Sequence, residues 1–447
     1  MPSLQHRFLS WTRVLVVCGF IVWQGASPAA ASPSTPPVIW ENQRLMPTGS
    51  AHGQSFGASV SVDGASAIVG AGWGSGPGQG NGVAYVFQDN GLGTWTQRAA
   101  LAPSDPAAVN AFGASVALDG QLAVIGAPQG ANYIGSAYIF RENGSGNWTQ
   151  VAKLAAADGA AHDLFGFPVA ISGNRVIIGA SENDDAGSNS GSAYIFEDNG
   201  SGTWSQVAKL TASDATYGDE FGLSVGISGN TAIVSAHNDE GSGSAYVFEF
   251  DGFGSWKEVV KLKASDPGFG EDFGYSIAIE DDRAVVGARR DAETGYNSGA
   301  AYVFEKGVGG VWAETAKLTP ADAVGSGEFG SSVDLSGTRI LVGAENGLGP
   351  FGGAGSAYVF EQQLNGDWLE VVELNASDPA YPKNEFGWNA ALSGDVALVG
   401  AWARDFSRGS AYLYKLSSQV PEPASLGLAA VATIAMAMSR RRTRVLL

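Results

Sequence analysis

The sequence predicts an all-β fold, a seven-bladed β-propeller of four-stranded blades. A Phe-Gly pair occurs seven times, and the steps between successive pairs are 56, 53, 56, 52, 56 and 57 residues. Self-similarity at a fixed period of this size is typical of repeat architectures. Each unit also repeats a Gly-Ala pair (Ser-Ala once), an Ala-Tyr pair and a tryptophan in that order, which gives four short strands. The repeated phenylalanines are Phe56, Phe112, Phe165, Phe221, Phe273, Phe329 and Phe386.

The third unit shows how the four strands follow one another. A first strand over residues 168–171 ends at a Ser-Gly-Asn turn, and a second over residues 175–179 ends in Gly-Ala. The third strand, over residues 193–196, is followed by a Gly-rich turn and then by the fourth, over residues 204–210. One face of the fourth strand is largely polar, so we expect this strand at the outer edge of the blade.

The tryptophan strands indicate how the ring closes. Trp40 precedes the first Phe-Gly pair, and no tryptophan strand follows Tyr412. We therefore predict that the N-terminal strand at Trp40 completes the last blade and pairs with the strand of Tyr412. Such closure removes the open edges that a linear array would leave. The seven tryptophans are Trp40, Trp95, Trp148, Trp204, Trp256, Trp312 and Trp368.

Composition and charge restrict the function classes. The single cysteine, Cys18, precedes the repeats, so the repeats can form no disulfide and offer no thiolate. Residues 32–420 contain 19 basic and 43 acidic residues, a net charge of −24. This charge argues against nucleic acid as a partner.

Both ends of the chain carry patterns typical of sorting signals. Arg7 and Arg13 precede an apolar run and then the small-residue stretch 26–31, which predicts a secretory signal peptide over residues 1–31. Near the C-terminus, a Pro-Glu-Pro motif precedes an apolar run over residues 424–438 and a cluster of arginines. A helix of that run spans only ~22 Å at ~1.5 Å per residue, so we expect no more than transient contact with a ~30 Å membrane core. The residues of this C-terminal signal are Pro421, Glu422, Pro423, Arg440, Arg441 and Arg442.

These three C-terminal parts, in this order, resemble the PEP-CTERM sorting tail of Gram-negative bacteria. The resemblance covers residues 419–447 and implies recognition by an exosortase and release of the tail. It also implies export through the inner membrane, to a secreted or cell-surface location near extracellular polysaccharide.

The repeated Phe-Gly and Gly-Ala pairs resemble the FG-GAP repeats of integrin-α-like β-propellers, over residues 40–414. With the two sorting segments removed, the propeller domain is expected to cover residues 32–418. The resemblance implies calcium in loops between the first two strands of some blades. Here those connections are short turns such as 62–64 and 280–282, so we expect no site of the integrin type.

The longer, acidic loops follow the second and fourth strands and share one face of the ring. Such loops on a rigid scaffold are a common way to build a binding surface, although an acidic rim also serves solubility. Oxygen ligands suit calcium, and the best candidate site is Glu182, Asp184 and Asp185 in the third blade. Calcium is therefore a possible ligand, but no cofactor is required by the sequence.

Three functions remain open. The first is a secreted, non-enzymatic propeller that binds or scaffolds at the cell surface or in the exopolysaccharide matrix. The second is a carbohydrate-binding, lectin-like propeller, and the third is an extracellular hydrolase that uses loop carboxylates. A nucleophile-elbow pattern occurs at residues 222–226, but Ser59 and Ser115 occupy the same repeat position without it, so we expect no enzyme.

Overall fold

The computed structural model describes residues 36–48, 55–72, 82–106, 111–323, 325–347, 354–378, 385–404 and 408–416. Two short N-terminal strands, β1 (Val38–Trp40) and β2 (Gln43–Leu45), come first. The rest of the described chain forms seven blades, and almost no helix occurs in it: one four-residue turn α1 (Gly130–Tyr133) and a 3-10 turn (Asp239–Gly241). The predicted signal peptide and sorting tail lie outside the described residues.

Each blade contributes four strands in the predicted order. The first strands are β3 (Ser59–Asp63), β7 (Ser115–Asp119), β11 (Val169–Ser172), β15 (Val225–Ser228), β19 (Phe273–Glu280), β23 (Phe329–Ser336) and β27 (Phe386–Ser393). The second strands are β4 (Ser66–Ala71), β8 (Leu122–Ala127), β12 (Arg175–Ala180), β16 (Thr231–Ala236), β20 (Arg283–Ala288), β24 (Arg339–Ala344) and β28 (Val396–Ala401). The third strands are β5 (Val83–Asp89), β9 (Ser136–Glu142), β13 (Ser192–Asp198), β17 (Ser244–Phe250), β21 (Ala300–Lys306), β25 (Ser356–Gln362) and β29 (Ser410–Lys415). The fourth strands are β6 (Trp95–Leu101), β10 (Trp148–Leu154), β14 (Trp204–Leu210), β18 (Trp256–Leu262), β22 (Trp312–Leu318) and β26 (Trp368–Asn375).

The order of strands within a blade confirms the prediction. Neighbouring strands are antiparallel, as in the sheet order β11-β12-β13-β14 of the third blade, and the fourth strand lies at the outer edge. The first strands contact one another in chain order around the ring, and β27 contacts β3. Apolar side chains of adjacent blades form shared cores, and one such core joins Leu398 and Leu413 of the last blade to Phe56 and Val69 of the first. The seven-bladed ring is therefore closed.

The Phe-Gly and Gly-Ala pairs form the seams between blades. A Cβ on the Gly-Ala glycine would overlap the carbonyl oxygen of the Phe-Gly glycine in the next blade, so only glycine allows the two backbones to approach this closely. The same contact joins Gly400 of the last blade to Gly57 of the first. Beside each seam the Phe ring packs edge-on against the third strand, as Phe56 does against Tyr85 and Phe87. The residues of the repeat signature are thus those that pack neighbouring blades against each other.

The N-terminal segment completes the last blade, and its two short strands pair with two different blades. Strand β2 pairs with β29, and Arg44 lies opposite Tyr412. Trp40 itself lies in β1, which pairs in parallel with β26 and adds a fifth strand to the sixth blade. From Trp40 to Leu45 the chain is one residue shorter than from Trp95 to Leu101, so it lacks the bulge residue of the other fourth strands. As a result Trp40 is 39% exposed, whereas Trp95 is 3% exposed.

Candidate functional site

One face of the ring carries the loops that follow the second and fourth strands, and we call it the acidic face. Within each described blade these two loops contact each other: the Glu220 N–H donates to the Asn189 carbonyl in the third blade, and the Ser326 N–H donates to the Tyr296 carbonyl in the fifth. The opposite face carries the tight turns, such as the hairpin between β17 and β18. The acidic face is therefore the one with enough chain to form a site.

Lysines of the fourth strands lie on the acidic face and neutralise part of it. In the second to fifth blades the lysine next to the last residue of that strand contacts an aspartate from the preceding inter-blade loop. Each ammonium also lies 5.2–5.4 Å from the centroid of the tyrosine ring in the third strand. The ion pairs are Lys153–Asp105 (2.5 Å), Lys209–Asp158 (2.6 Å), Lys261–Asp214 (2.7 Å) and Lys317–Asp266 (2.6 Å).

The fourth blade shows how completely such a lysine can occupy an acidic cluster. Carboxylate oxygens of Asp214, Asp239 and Glu240 lie within 4.8 Å of one another, and among the described residues this is the one group of three that could hold a metal ion. The Lys261 ammonium already lies 2.7, 2.6 and 3.1 Å from them. Burial lowers the pKa of Lys261, but hydrogen bonds to Asp214 and Asp239 outweigh it, and the pKa is raised. The cation of this cluster therefore comes from the chain itself.

A cavity of about 510 Å³ opens where the central channel meets the acidic face. All seven blades line it with equivalent residues, those that follow the Phe-Gly pairs. Blades one to four contribute mainly small or apolar side chains, namely Ala58, Ala114, Phe167 and Leu223. Blades five to seven contribute Tyr275, Ser331, Trp388 and Trp402 among others.

Two further sets of repeat positions, of which Trp402 also lines the cavity, divide the ring of blades into unlike halves. The residue before each Phe-Gly phenylalanine has φ between 49° and 60° in all seven blades, so the backbone is the same throughout. Its side chain changes from Ser55, Ala111 and Leu164 to acidic residues. The four acids are Glu220, Asp272, Glu328 and Glu385. The residue after each Gly-Ala (or Ser-Ala) pair runs Gly72, Pro128, Ser181, His237, Arg289, Glu345 and Trp402.

Glu345 is the most buried acid of the charged half. It is 5% exposed, and its Oε2 atom accepts no hydrogen bond within the described residues. Its Oε1 lies 3.7 Å from Arg289 Nη1, and the Arg289 guanidinium lies 3.6 Å from the centroid of the Tyr275 ring. Burial, followed by a hydrogen bond with the neighbouring Glu328 carboxyl, raises the pKa of Glu345 to about 8. The two carboxyl groups therefore hold a proton more tightly than isolated carboxyl groups do.

The elbow serine does not resemble a nucleophile. Ser224 Oγ accepts a hydrogen bond of 3.1 Å from the Ile277 N–H of the next blade. Ser59 and Ser115 make the same inter-blade bond, to Val116 at 2.8 Å and to Val169 at 3.0 Å. The hydroxyl thus stabilises a seam in three blades.

Four consecutive blades each expose one aromatic side chain at the contact between their two acidic-face loops. In the second blade Tyr133 stacks on His162, with ring centroids 5.4 Å apart. In the fourth blade the Phe269 ring lies beside Gly241 of the neighbouring loop. The set is Tyr133, Tyr217, Phe269 and Tyr296. We call it the aromatic arc.

Comparison with known families identifies the repeats. The model described as FG-GAP repeat matches seven times, over residues 40–87, 95–140, 148–196, 204–248, 256–304, 312–360 and 368–414. The chain belongs to the FG-GAP repeat family. The matches follow the blades of the propeller, because each begins at a tryptophan strand and ends within or just after the next third strand.

The sorting tail of this FG-GAP protein is also matched. The PEP-CTERM protein-sorting motif covers residues 419–442, which include Pro421, Glu422, Pro423 and the arginines 440–442. That motif implies processing by an exosortase and export with sorting to the cell surface. No curated protein sequence matches the chain. In the part of the chain that the structure describes, no helix is both long and apolar enough to span a bilayer.

The predicted calcium residues of the FG-GAP propeller have separate partners. The Asp185 carboxylate is paired with the Lys209 ammonium, and Asp184 Oδ1 accepts a hydrogen bond of 2.8 Å from the Asn189 N–H. Glu182 is partly buried and lies near Glu220. Burial raises the pKa of Glu220, and the charge of Glu182 raises it further. Calcium binding at Glu182, Asp184 and Asp185 stays a prediction.

We expect millimolar calcium to raise the unfolding temperature of the propeller slightly or not at all. A ligand of the native state stabilises it by RT ln(1 + [L]/Kd), about 0.4 kcal/mol when its concentration equals Kd. Here Lys209 competes for Asp185, so a metal must displace an ammonium. Thermal unfolding with calcium or with a chelator measures the effect. A rise of several degrees that disappears in Asp184→Asn, but not in Glu240→Gln, would locate a calcium site in the third blade.

Proposed function

We propose that this FG-GAP protein is a non-enzymatic, secreted binding protein that attaches to extracellular polysaccharide at the surface of a Gram-negative cell. Its sorting tail supports the location, since an exosortase substrate is delivered to the cell surface. The aromatic arc supports the ligand class and is the observation that carries the proposal. Calcium is not required for this function, although a contribution from the acidic face is tested above.

Sugar rings present apolar C–H faces and hydroxyl edges. Exposed tyrosine and phenylalanine rings offer flat apolar area at low entropic cost, and loop carboxylates and carbonyls accept hydrogen bonds from hydroxyls. One aromatic side chain per blade over four blades suits a polymer that repeats its own unit. Several weak contacts to one chain then add up to firm attachment without a deep pocket.

The carboxyl pair at the channel raises the alternative of a glycoside hydrolase. Hydrolases of that kind hold their two carboxyl groups about 5–9.5 Å apart, so that the scissile bond or a water fits between them. Glu345 and Glu328 are in hydrogen-bond contact, which leaves no such space. This geometry favours binding over hydrolysis.

The test is a comparison of two phenylalanines that are both 94% exposed. Phe269 belongs to the aromatic arc, whereas Phe253 lies in the β17–β18 hairpin on the opposite face. We expect Phe269→Ser to weaken binding to immobilised extracellular polysaccharide about 2- to 10-fold, because the variant loses one stacking contact. Phe253→Ser is expected to bind like the parent protein.

A triple variant with Tyr217→Ser, Phe269→Ser and Tyr296→Ser should abolish retention, with or without calcium. Unchanged unfolding temperatures verify that only exposed side chains were altered. Equal binding by the Phe269 and Phe253 variants, or full retention of the triple variant, would refute the aromatic arc as the binding surface.

A further inference from the structure

We propose that the face opposite the acidic face lies against a phospholipid bilayer, and that apolar side chains at the ends of its hairpins enter the bilayer interface. The hairpins are those between the third and fourth strands of blades one, four, five and six. Their apolar residues are Leu92, Phe253, Val308 and Leu364, which we call the apolar tips. This contact goes beyond polysaccharide attachment through the aromatic arc and does not depend on it.

The apolar tips are much more exposed than apolar side chains usually are. All four are at least 87% exposed, and Val311 in the hairpin of Val308 is 68% exposed. A single exposed apolar residue is ordinary in a water-soluble domain. Four of them in the same hairpin of four repeats form a pattern, and apolar groups gathered on one face mark contact with a protein or a membrane.

The hairpins do not need these side chains in order to fold. Each hairpin contains five residues, and in blades two and three the central one is a serine, Ser145 or Ser201. Asn199 Oδ1 accepts a hydrogen bond from the Ser201 N–H at 2.9 Å, and Asp251 Oδ1 accepts one from the Phe253 N–H at 2.8 Å. The same bond thus holds the turn whether its tip is polar or apolar. The apolar residue therefore serves a contact outside the fold.

The chain leaves the propeller from the face that carries the apolar tips. The Leu416 N–H donates to the Asp395 carbonyl at 2.8 Å, and in the fourth blade the Phe250 N–H donates to the Asn230 carbonyl at 2.9 Å. Phe250 directly precedes the hairpin of that blade. Leu416, the last described residue, therefore lies where the hairpin begins in other blades.

The position of the sorting tail places a bilayer within reach of this face. The sorting motif begins at residue 419. Residues 417–423 span at most about 25 Å when extended, so the apolar run over residues 424–438 begins near the hairpins. The tail leaves from the seventh blade, and the apolar tips lie on both sides of it, in blades four to six and in blade one. The two polar tips lie together on the rest of the ring.

The form of this surface suits a bilayer better than a second protein. A protein partner has to match a continuous area of about 800 Å² on each side, whereas the apolar tips are single side chains on separate hairpins. A bilayer interface is fluid and closes around each side chain. The apolar run of the tail is also short, and stable attachment to a membrane generally takes two signals. The apolar tips supply the second signal.

Little charge has to leave water when the apolar tips enter the interface. Their four hairpins contain two charged residues, Asp251 and Asp367. Asp251 is paired with Lys257 at 3.1 Å, and Asp367 accepts a hydrogen bond of 2.7 Å from Asn365 Nδ2. Insertion of the tips therefore costs little in lost hydration of charged groups. In this orientation the aromatic arc points away from the bilayer, toward the extracellular side.

Fluorescence quenching tests the proposal on the chain without its predicted signal peptide, residues 32–447. These residues include no cysteine, so Phe253→Cys and Phe269→Cys each provide one site for an environment-sensitive dye. Vesicles of phosphatidylethanolamine and phosphatidylglycerol with brominated acyl chains quench a dye that reaches the bilayer. We expect quenching at residue 253 and none at residue 269, on the acidic face. Equal quenching at the two sites, or none at residue 253, would overturn the proposal.

Variants separate this contact from polysaccharide attachment. A tip variant with Phe253→Ser, Val308→Ser and Leu364→Ser is expected to bind the vesicles at least about tenfold more weakly in co-sedimentation, because interfacial binding scales with the apolar area buried. It should be retained on polysaccharide like the parent protein. The triple variant of the aromatic arc should show the reverse behaviour. Undiminished vesicle binding by the tip variant would refute the bilayer contact, whatever the aromatic arc binds.

Sedimentation velocity without lipid tests the other partner, a second copy of the chain. We expect the parent protein and the tip variant to sediment alike, since the apolar tips offer no continuous protein interface. A dimer of the parent protein that the tip variant no longer forms would assign the tips to self-association and overturn the bilayer contact.

Discussion

Deletion of residues 36–46 is expected to lower the free energy of unfolding by about 5 kcal/mol, far more than its length suggests. The segment buries Leu45 and Ile39 and pairs with the last blade and with the sixth. Gln43 also donates to the Trp95 carbonyl and accepts from the Trp95 N–H, which ties the closing strand to the first blade. Urea unfolding measures the change.

The deletion should also create an edge. Without β2 the backbone groups of β29 on that side have no partner, and open strands of this kind pair with other chains. We therefore expect concentration-dependent association of the deletion variant in sedimentation experiments. A milder pair of variants tests the same point: Leu45→Ala, at a residue 1% exposed, should cost about 2–5 kcal/mol, whereas Leu92→Ala, at a residue 87% exposed, should cost almost nothing. A monomeric deletion variant of parental stability would show that the ring does not depend on this strand.

Gly400→Ala is expected to lower the free energy of unfolding by about 3 kcal/mol or more, because the new methyl group overlaps the Gly57 carbonyl oxygen across the closing seam. Gly307→Ala provides the control. Its Cβ would lie 3.6 Å from the Val311 carbonyl oxygen, an ordinary contact, and neither glycine has a positive φ. The comparison therefore isolates close approach from backbone conformation.

In the fourth blade the position equivalent to Gly400 carries a side chain, and its contacts show what such a side chain requires. Ser235 replaces the glycine in the fourth blade, and its hydroxyl accepts from the Ser224 N–H at 2.9 Å and donates to the Ser224 carbonyl at 3.3 Å. Alanine at residue 400 would have the bulk without these bonds. Equal urea midpoints for the Gly400 and Gly307 variants would mean that the closing seam can widen freely, contrary to our account of the repeat signature.

The sequence was sufficient for the architecture because the same packing problem is solved seven times, and repetition makes its solution visible. The predicted strands of the third blade differ from those observed by at most two residues at either end. The role of Trp40 was harder to predict, since one missing residue before Leu45 redirects the tryptophan toward the sixth blade. Contacts between side chains of different loops, in contrast, produce no periodic pattern in the sequence.

The candidate site illustrates this limit. The sequence predicted only that the lysines of the fourth strands lie on a polar face. The fold is what places the Lys261 ammonium in contact with Asp214 and Asp239. Glu345 had no motif to mark it. A signal did exist, because aligning the seven units with one another shows a change from small to charged residues after the Gly-Ala pairs. Departures from an internal repeat are thus a guide to function within a single chain.

Closure by β2 ties the completion of the ring to the synthesis of β29. Arg44 Nε of β2 donates to Ser410 Oγ of β29 across 366 residues of sequence, so β2 cannot pair until β29 has been synthesised. Until then six blades with one open side are all that can form. A truncated product, lacking β29, can never mask that side and remains a target for proteases and for association with other copies. The position of one short strand therefore makes closure of the ring depend on the synthesis of β29.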